Sequence, residues 1–304
     1  MEIDTLCFSS GGIQGFKFMS ALKYLCDNNY INLNKITTYA GTSIGSMLSF
    51  LLILGYTPDE LILFSINYDF KKLEPDIDFL IIEEKFGLDQ GNGIIELLSF
   101  FCEKKLKLKD LSLYDLYVLT KKKFILNATN FNTKEEKIFS YINTPNLSVI
   151  TAIRMSISIP VIYTPVLYNN NYYVDGALTN NFLIEHCNPK TTLGFFIKDK
   201  EYNELKSIQD IIIGSLLILS CKKKYKNKNY KIISFDDYDS SFIVMNITKE
   251  YLQELFNIGI ECVKHFYVNE LKEKINNIKI NIEDKTTSIV TDLINNIINK
   301  ITDK

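Results

Sequence analysis

Several features that would point to particular classes of protein are missing from this sequence. The net charge is −2 at neutral pH, so the chain lacks the basic excess that binding to nucleic-acid phosphates requires. The six cysteines are scattered, without a CxxC pair or a histidine at ligand spacing, which argues against a zinc site. Arginine occurs only at Arg154, and the two histidines are His186 and His265.

Segments that would direct the chain into or across a membrane are also missing. No apolar stretch reaches the ~20 residues that a membrane-spanning helix needs. The first seven residues carry acidic side chains and no basic one, unlike the start of a signal peptide. We therefore expect a soluble protein of a reducing, cytoplasmic or intracellular compartment.

The chain opens with two strand–turn–helix units. Short apolar segments at 3–9 and 35–40 predict strands, and a glycine-containing turn follows each. Residues 16–28 and 46–54 then have the composition or spacing of buried helices. This repeated order indicates an α/β fold with a mostly parallel sheet.

The remaining pattern is consistent with one domain covering residues 1–304. The motifs described below fall in a core of about residues 3–200, and residues 201–304 predict a mainly helical extension. Residues 69–93 mix charge, glycine and apolar side chains, so we expect a surface insertion that could act as a lid. Further strands are predicted at 124–130, 137–141, 166–174, 192–197 and 230–235, and further helices at 58–66, 94–101, 149–156 and 289–301.

A GxSxG pentapeptide lies between the second strand and its helix. A serine at its centre, Ser43, must adopt a strained backbone, and Gly41 and Gly45 remove side chains that would clash there. Such a turn presents the serine hydroxyl at the end of the sheet, beside the free amides of a helix N-terminus. Ser43 is therefore the candidate nucleophile, although a tight turn with an incidental serine is the alternative.

The turn after the first strand is rich in small residues from Ser10 to Gly15. It lacks both the GxGxxG pattern of dinucleotide-binding loops and the Lys-Ser/Thr pair of a phosphate-binding loop. The backbone N–H groups of Gly11 and Gly12 could instead stabilise a developing oxyanion. A plain turn between strand and helix remains the alternative.

The proton acceptor for Ser43 has three candidates. Histidine is the usual base, and the order Ser43, Asp175, then His186 or His265 would suit a Ser-His-Asp esterase. Neither histidine lies in a segment typical of an active-site loop. Asp175 ends a predicted strand and precedes Gly176 and Ala177, which leave room around its carboxylate, and burial would raise its pKa toward that of a useful base.

Taken together, these motifs resemble the patatin-like phospholipase family. The glycine-rich loop, the GxSxG turn and an Asp-Gly-Ala triplet at Asp175 follow one another in the family's order. Intervening segments, such as Ser156-Ile157-Ser158-Ile159-Pro160 and the pair Asn180-Asn181, also resemble the family's pattern. Two positions depart from that pattern, because Ser10 replaces a glycine and Gln14 replaces a basic residue.

The resemblance implies a three-layer α/β/α fold and hydrolysis of acyl esters in phospholipids or related lipids. It further implies a Ser43–Asp175 dyad that works through an acyl-enzyme, with Gly11 and Gly12 in the oxyanion hole and no metal or cofactor. A Ser-His-Asp esterase and an inactive lipid-binding relative are the alternatives. Peripheral membrane contact, through residues 70–88 or the lysine cluster at 222–228, is a further hypothesis.

Overall fold

The computed structural model describes residues 2–73, 82–198, 214–215, 229–236 and 247–283. The lysine cluster at 222–228 and the predicted helix at 289–301 lie outside these residues, as does part of the predicted insertion at 69–93. Within the described ranges, every helix is either too short or too polar to cross a membrane.

The strands of the described residues form one large sheet and one small sheet. They are β1 (Thr5–Phe8), β2 (Thr38–Gly41), β3 (Gly87–Asp89), β4 (Lys123–Asn130), β5 (Glu135–Ser140), β6 (Val161–Tyr163), β7 (Val166–Tyr168), β8 (Asn171–Val174), β9 (Thr192–Ile197) and β10 (Lys231–Phe235). The large sheet has the order β10-β9-β1-β2-β4-β8-β7, and β5 also pairs with β4. Strands β10 to β4 in that order are parallel, whereas β5, β7 and β8 are antiparallel to their partners. The small sheet is the parallel pair β3–β6.

Helices connect and cover these strands. The α-helices are α1 (Phe16–Asp27), α2 (Ile44–Ile53), α3 (Pro58–Asn67), α4 (Ile82–Lys85), α5 (Asn92–Leu106), α6 (Leu113–Thr120), α7 (Val149–Ser156) and α8 (Lys249–Glu283). Short 3₁₀ turns occur at Gly12–Gly15, Leu33–Lys35, Phe70–Leu73, Gly176–Leu178 and Leu183–His186.

Side chains of the central strands alternate between two cores. In β1, Leu6 and Phe8 belong to the larger core with side chains of α1, α2, α7 and α8. Cys7 faces the opposite side, where it meets the turn Leu183–His186 in a smaller cluster. Because successive residues of a strand point to opposite faces, the sheet is the middle layer of the molecule. The prediction of a three-layer α/β/α fold with a mostly parallel sheet is confirmed.

Strand β4 brings two distant segments to one place. Its first half pairs in parallel with β2, which ends at Gly41 opposite Leu126. Its last two residues pair antiparallel with β8, which ends at Val174 opposite Thr129. The C-terminal ends of β2 and β8 therefore approach each other along the same partner strand, with only two residues of β4 between them.

Some short elements of the structure are not predicted from the sequence. Strands β3 and β6 interrupt segments that show no alternating pattern, and each is stabilised by pairing with the other. Helix α6 begins after Ser112, whose side chain accepts a hydrogen bond from Asp115 N. That serine and aspartate are a helix-start signal that could have located α6.

Candidate active site

Ser43 occupies a strained turn between β2 and α2. Its backbone has φ 54° and ψ −124°, in the left-handed half of the map that side chains disfavour. A Cβ atom on Gly41 would lie 2.3 Å from the backbone of Gly45, and one on Gly45 would lie 2.5 Å from Phe8 O. Both glycines are thus required by the close approach of backbone segments, which fixes the turn in this conformation.

Asp175 lies directly opposite the serine hydroxyl. Ser43 Oγ donates a hydrogen bond to Asp175 Oδ2 over 2.8 Å, although the two residues are 132 positions apart. The second carboxylate oxygen, Oδ1, accepts a hydrogen bond of 2.8 Å from Ala177 N. Gly176 allows this turn to pass close to β4, because a Cβ atom there would lie 2.5 Å from Asn127 Oδ1.

The environment of Asp175 makes it a stronger base than an aspartate in water. Only 3% of the residue is exposed, and this burial raises the pKa of its carboxyl group from 3.8 to about 7. Hydrogen bonds from Ala177 N and Ser43 Oγ act in the opposite direction but are weaker. A carboxylate with a pKa near neutrality can accept a proton from a hydroxyl group more readily than an exposed one.

The end of helix α7 contacts both of these residues. Ser156 Oγ accepts a hydrogen bond of 2.9 Å from Ser43 N, and Ser158 O accepts one of 2.8 Å from Asp175 N. Both serines are fully buried. One short segment therefore fixes the backbone of Ser43 and that of Asp175 in relation to each other. Sequence reasoning used this segment only as part of a family pattern and did not assign it this role.

A second network joins the neighbours of Ser43 and Asp175 behind the site. Thr42 Oγ1 donates to Asn127 Oδ1 over 2.9 Å, and Asn127 Nδ2 donates to Asn180 O over 2.9 Å. Asn180 Nδ2 in turn donates to the carboxylates of Glu136 and Glu185, over 2.8 and 2.9 Å. These bonds connect strand β4 to the residue before Ser43 and to the segment that follows Asp175.

The glycine-rich loop lies beside Ser43. Gly12 has a left-handed backbone with φ 52°, and Gly12 and Gly15 line the same cavity as Ser43. Within the described part of the chain, neither Gly11 N nor Gly12 N donates a hydrogen bond, whereas Ser10 N donates to Asn181 O over 2.9 Å. Of these two glycines, only Gly12 is among the described residues that line the cavity beside Ser43.

Gln14, the residue that departs from the family pattern, points away from solvent. It is 2% exposed, and its Nε2 donates a hydrogen bond of 3.4 Å to the hydroxyl of Tyr251 in α8. The neighbouring Phe16 also packs edge-to-face on Phe256 of α8. The C-terminal helix therefore covers this position of the loop.

The two histidines lie outside the site. His186 Nε2 is 3.8 Å from Glu136 Oε1, behind the Asn127–Asn180 network, and His265 is an exposed residue of α8. In the part of the chain that the structure covers, neither histidine lines the cavity around Ser43.

An apolar cavity opens beside Ser43 between α1, α2, α3 and α5. Its volume is about 140 Å³. Among its described lining residues none is charged, and Ser65, one of the few polar ones, satisfies its hydroxyl by donating to Leu61 O. Apart from Ser43 and Ser65, the wall consists of Gly12, Ile13, Gly15, Phe16, Met19, Ile44, Met47, Leu48, Leu51, Leu61, Phe64, Phe70, Leu73, Ile94, Leu97, Phe101, Ile157, Ile159 and Tyr163. Such a wall suits a hydrocarbon chain and not a polar headgroup.

Comparison with known proteins places these features in a family. The pattern of the patatin-like phospholipase family matches residues 6–187, which include every site residue described above. Probable lipid hydrolase 463L of Invertebrate iridescent virus 6 is 30% identical over 279 residues, covering 89% of this chain and 88% of the viral protein. A protein of Acanthamoeba polyphaga mimivirus named R571 is 29% identical over 283 residues, covering 86% of this chain and 93% of its own length.

A solved structure supports the same fold. VipD from Legionella pneumophila superposes with a TM-score of 0.55, covering 88% of this chain and 67% of VipD. The sequence identity in that superposition is 14%, so the likeness concerns the fold alone.

Proposed function

The chain belongs to the patatin-like phospholipase family, and on that premise we propose that it hydrolyses acyl esters of phospholipids or related lipids through Ser43 and Asp175. The observation that carries this proposal is the 2.8 Å hydrogen bond between Ser43 Oγ and Asp175 Oδ2 beside an apolar cavity. The name of the iridescent virus relative, a probable lipid hydrolase, supports the same class of activity.

In the first half of the proposed reaction, the acyl group moves to the enzyme. Asp175 takes the proton of Ser43 Oγ as that oxygen attacks the ester carbonyl carbon. The amides of Gly11 and Gly12 stabilise the oxyanion, each contributing on the order of 3 kcal/mol in the transition state. When the tetrahedral intermediate collapses, the leaving alcohol takes the proton from Asp175 and an acyl-Ser43 ester remains.

The second half reverses these roles with water. Asp175 takes a proton from a water molecule, whose oxygen attacks the acyl carbon. Collapse of this second intermediate releases the fatty acid, and Ser43 Oγ recovers the proton from Asp175. The pKa of about 7 suits both steps, because the carboxyl group must accept and return a proton at neutral pH.

The cavity favours a lipid substrate with a long acyl chain. Its described wall offers hydrocarbon to one chain and no charged group to a headgroup, so the headgroup remains outside. We infer that selectivity for the acyl chain is set within this cavity and that the headgroup contributes less.

Four variants test the proposal. Ser43→Ala and Asp175→Asn should each lower kcat for a lipid ester by at least about 10³-fold, because each removes a group that acts in the transition state. His186→Ala and His265→Ala serve as matched controls and should retain activity. Turnover is measured by fatty-acid release from mixed micelles, and folding by circular dichroism.

The alternatives predict different results in the same experiment. A folded but inactive His186→Ala or His265→Ala protein would favour a Ser-His-Asp esterase. Absence of both turnover and covalent labelling of Ser43 by a fluorophosphonate would favour a lipid-binding relative without activity.

A further inference from the structure

The glycine-rich loop lies between two helices that are far apart in the chain. On one side, Gly15 lies against Ile44, the residue after Ser43, and a Cβ atom on Gly15 would come within 2.6 Å of Ile44 Cγ1. On the other side, the Gln14 side chain reaches α8, where its Nε2 donates to Tyr251 Oη over 3.4 Å. The position of the loop relative to the nucleophile therefore depends on α8 as well as on α2.

Helix α8 is packed closely on α1, which follows the loop. Gly259 is a point of close approach, because a Cβ atom there would overlap Ser20 Oγ and Lys17 O. Phe256 packs edge-to-face on Phe16, with 6.3 Å between the ring centroids. The apolar side chains of α8 that belong to the larger core are at most 3% exposed: Leu252, Leu255, Phe256 and Val263. These contacts make α8 a fixed support beside the loop.

Gln14 is built into the turn that carries Gly12. The 3₁₀ turn runs from Gly12 to Gly15, and Gln14 N donates to Gly11 O over 3.0 Å. Gly12 also lines the cavity beside Ser43. Because the turn is only four residues long, a shift of the Gln14 side chain shifts the backbone of the neighbouring glycines.

The amide at Gln14 suits a loop that this helix covers. Helix α8 lies beyond residues 6–187, the part of the chain that the family pattern matches. A basic residue at the position of Gln14 would need an opposite charge in so buried a place, whereas an amide needs only neutral partners. The hydroxyl of Tyr251 is one such partner.

We propose that Tyr251 is a positioning residue, which acts through Gln14 to hold the glycine-rich loop where its amides meet the developing oxyanion. This role rests on the proposed hydrolysis by Ser43. Oxyanion donors are effective only when they lie about 2.7–3.1 Å from the position of the charged oxygen, so a small displacement of the loop weakens the transition state. The bound substrate carries no oxyanion yet, so its affinity depends less on the loop.

Two variants remove the two ends of this hydrogen bond. Tyr251→Phe and Gln14→Met should each lower kcat for a medium-chain p-nitrophenyl ester about three- to tenfold, the effect of one hydrogen bond, and should change KM less than about twofold. The double variant should be no slower than either single variant, because both changes remove the same bond.

A trifluoromethyl ketone with the same acyl chain separates positioning from a general structural effect. Ser43 Oγ adds to its carbonyl carbon, the carbonyl oxygen becomes the oxyanion, and the serine proton passes to Asp175. The Ki of this ketone should rise in both variants by the factor by which kcat/KM falls. The corresponding fatty alcohol forms no oxyanion, and its Ki should not change.

Tyr267→Phe is the matched control on the same helix. Tyr267 lies 16 residues beyond Tyr251, or about 24 Å at 1.5 Å per residue, and it stacks on Tyr30 with ring centroids 4.0 Å apart. Loss of its hydroxyl should leave kcat and the Ki of the ketone unchanged. Circular dichroism checks that each variant is folded.

Four results would overturn the positioning role. They are an unchanged kcat in Tyr251→Phe, an equal loss in Tyr267→Phe, losses that multiply in the double variant, and a Ki of the ketone that stays constant while kcat falls. If the unmodified protein hydrolyses no ester, the proposed function itself is refuted and the positioning with it. Hydrolysis that is insensitive to Tyr251→Phe refutes the positioning alone.

Discussion

Replacing Asp175 by asparagine should stabilise the protein at alkaline pH while it abolishes activity. Below about pH 3 the carboxyl group is protonated in both the folded and the unfolded chain. Between that pH and about 7 the unfolded chain releases the proton and the folded chain retains it, so stability falls as pH rises. Above about pH 8 both states are ionised and the loss is complete.

The magnitude follows from the difference between the two pKa values. The pKa of the Asp175 carboxyl group rises from 3.8 in the unfolded chain to about 7 in the folded protein. This difference corresponds to about 4 kcal/mol of stability that is lost once both states are ionised. Relaxation around a buried charge reduces this, so we expect a gain of about 2 to 4 kcal/mol for Asp175→Asn at pH 8.5 relative to pH 4.5. Asparagine retains an acceptor for Ala177 N and places its amide against Ser43 Oγ, so the contacts of the site are kept.

Urea unfolding at pH 4.5, 6.5 and 8.5 measures this gain for the unmodified protein and the variant. Other groups titrate equally in both proteins and cancel in the difference. Asp59→Asn, which changes an exposed carboxylate of α3, is the control and should give no gain that grows with pH. A difference in unfolding free energy that stays constant between pH 4.5 and 8.5 would refute the claim that Asp175 is held in a site that disfavours its charge.

Four other predictions concern the same site. In the unmodified protein, log kcat/KM should rise with a slope of one below about pH 7 and then level off, because the base must be ionised; a flat profile in initial-rate assays would contradict this role. Ser156→Ala removes the hydroxyl that accepts the hydrogen bond of Ser43 N, and it should lower kcat about tenfold or more with little change in KM. Ser156→Thr keeps a hydroxyl and should recover part of the activity. The control is Ser49→Ala, whose equally buried hydroxyl donates to a backbone carbonyl of β2, and it should show no loss. Gly176→Ala should lower the melting temperature by several degrees in a thermal scan, since its Cβ would overlap Asn127, and an unchanged melting temperature would show that β4 can move aside. Met47→Trp places a larger side chain in the cavity. In a panel of esters of different chain length, it should lower kcat/KM for long acyl chains at least tenfold more than for acetyl esters. Equal losses for all esters would show that the acyl chain binds elsewhere.

Local patterns predicted the two turns at the centre of the site. The turn at Ser43 follows from glycines at fixed spacing between a strand and a helix, and the structure shows why each glycine is needed. The strand before Asp175 and the hairpin at Asn169-Asn170 were likewise visible in the order of apolar and turn residues. Such features depend on neighbours a few positions away, and those neighbours are present in the sequence.

The relation between the two turns was not predictable in the same way. It depends on β4, which pairs with β2 through its first half and with β8 through its last two residues. No local signal specifies that a strand has two different partners on different parts of its length. The contacts of Ser156 with Ser43 and of Ser158 with Asp175 also join residues that are separated in sequence, by 113 and 17 positions.

The only arginine of the chain lies where these distant segments meet. Arg154 Nε and Nη2 donate to Gln90 O over 3.1 and 2.8 Å, Nη2 also donates to Thr164 O, and Nη1 donates to Ser158 Oγ. Burial lowers the pKa of this guanidinium to about 10, a value that still leaves it charged at neutral pH. A lysine would bring three donors on one atom, which cannot reach acceptors on three separate segments. The arginine thus ties the residues that follow β3 and β6 to Ser158, whose carbonyl oxygen accepts the hydrogen bond from Asp175 N.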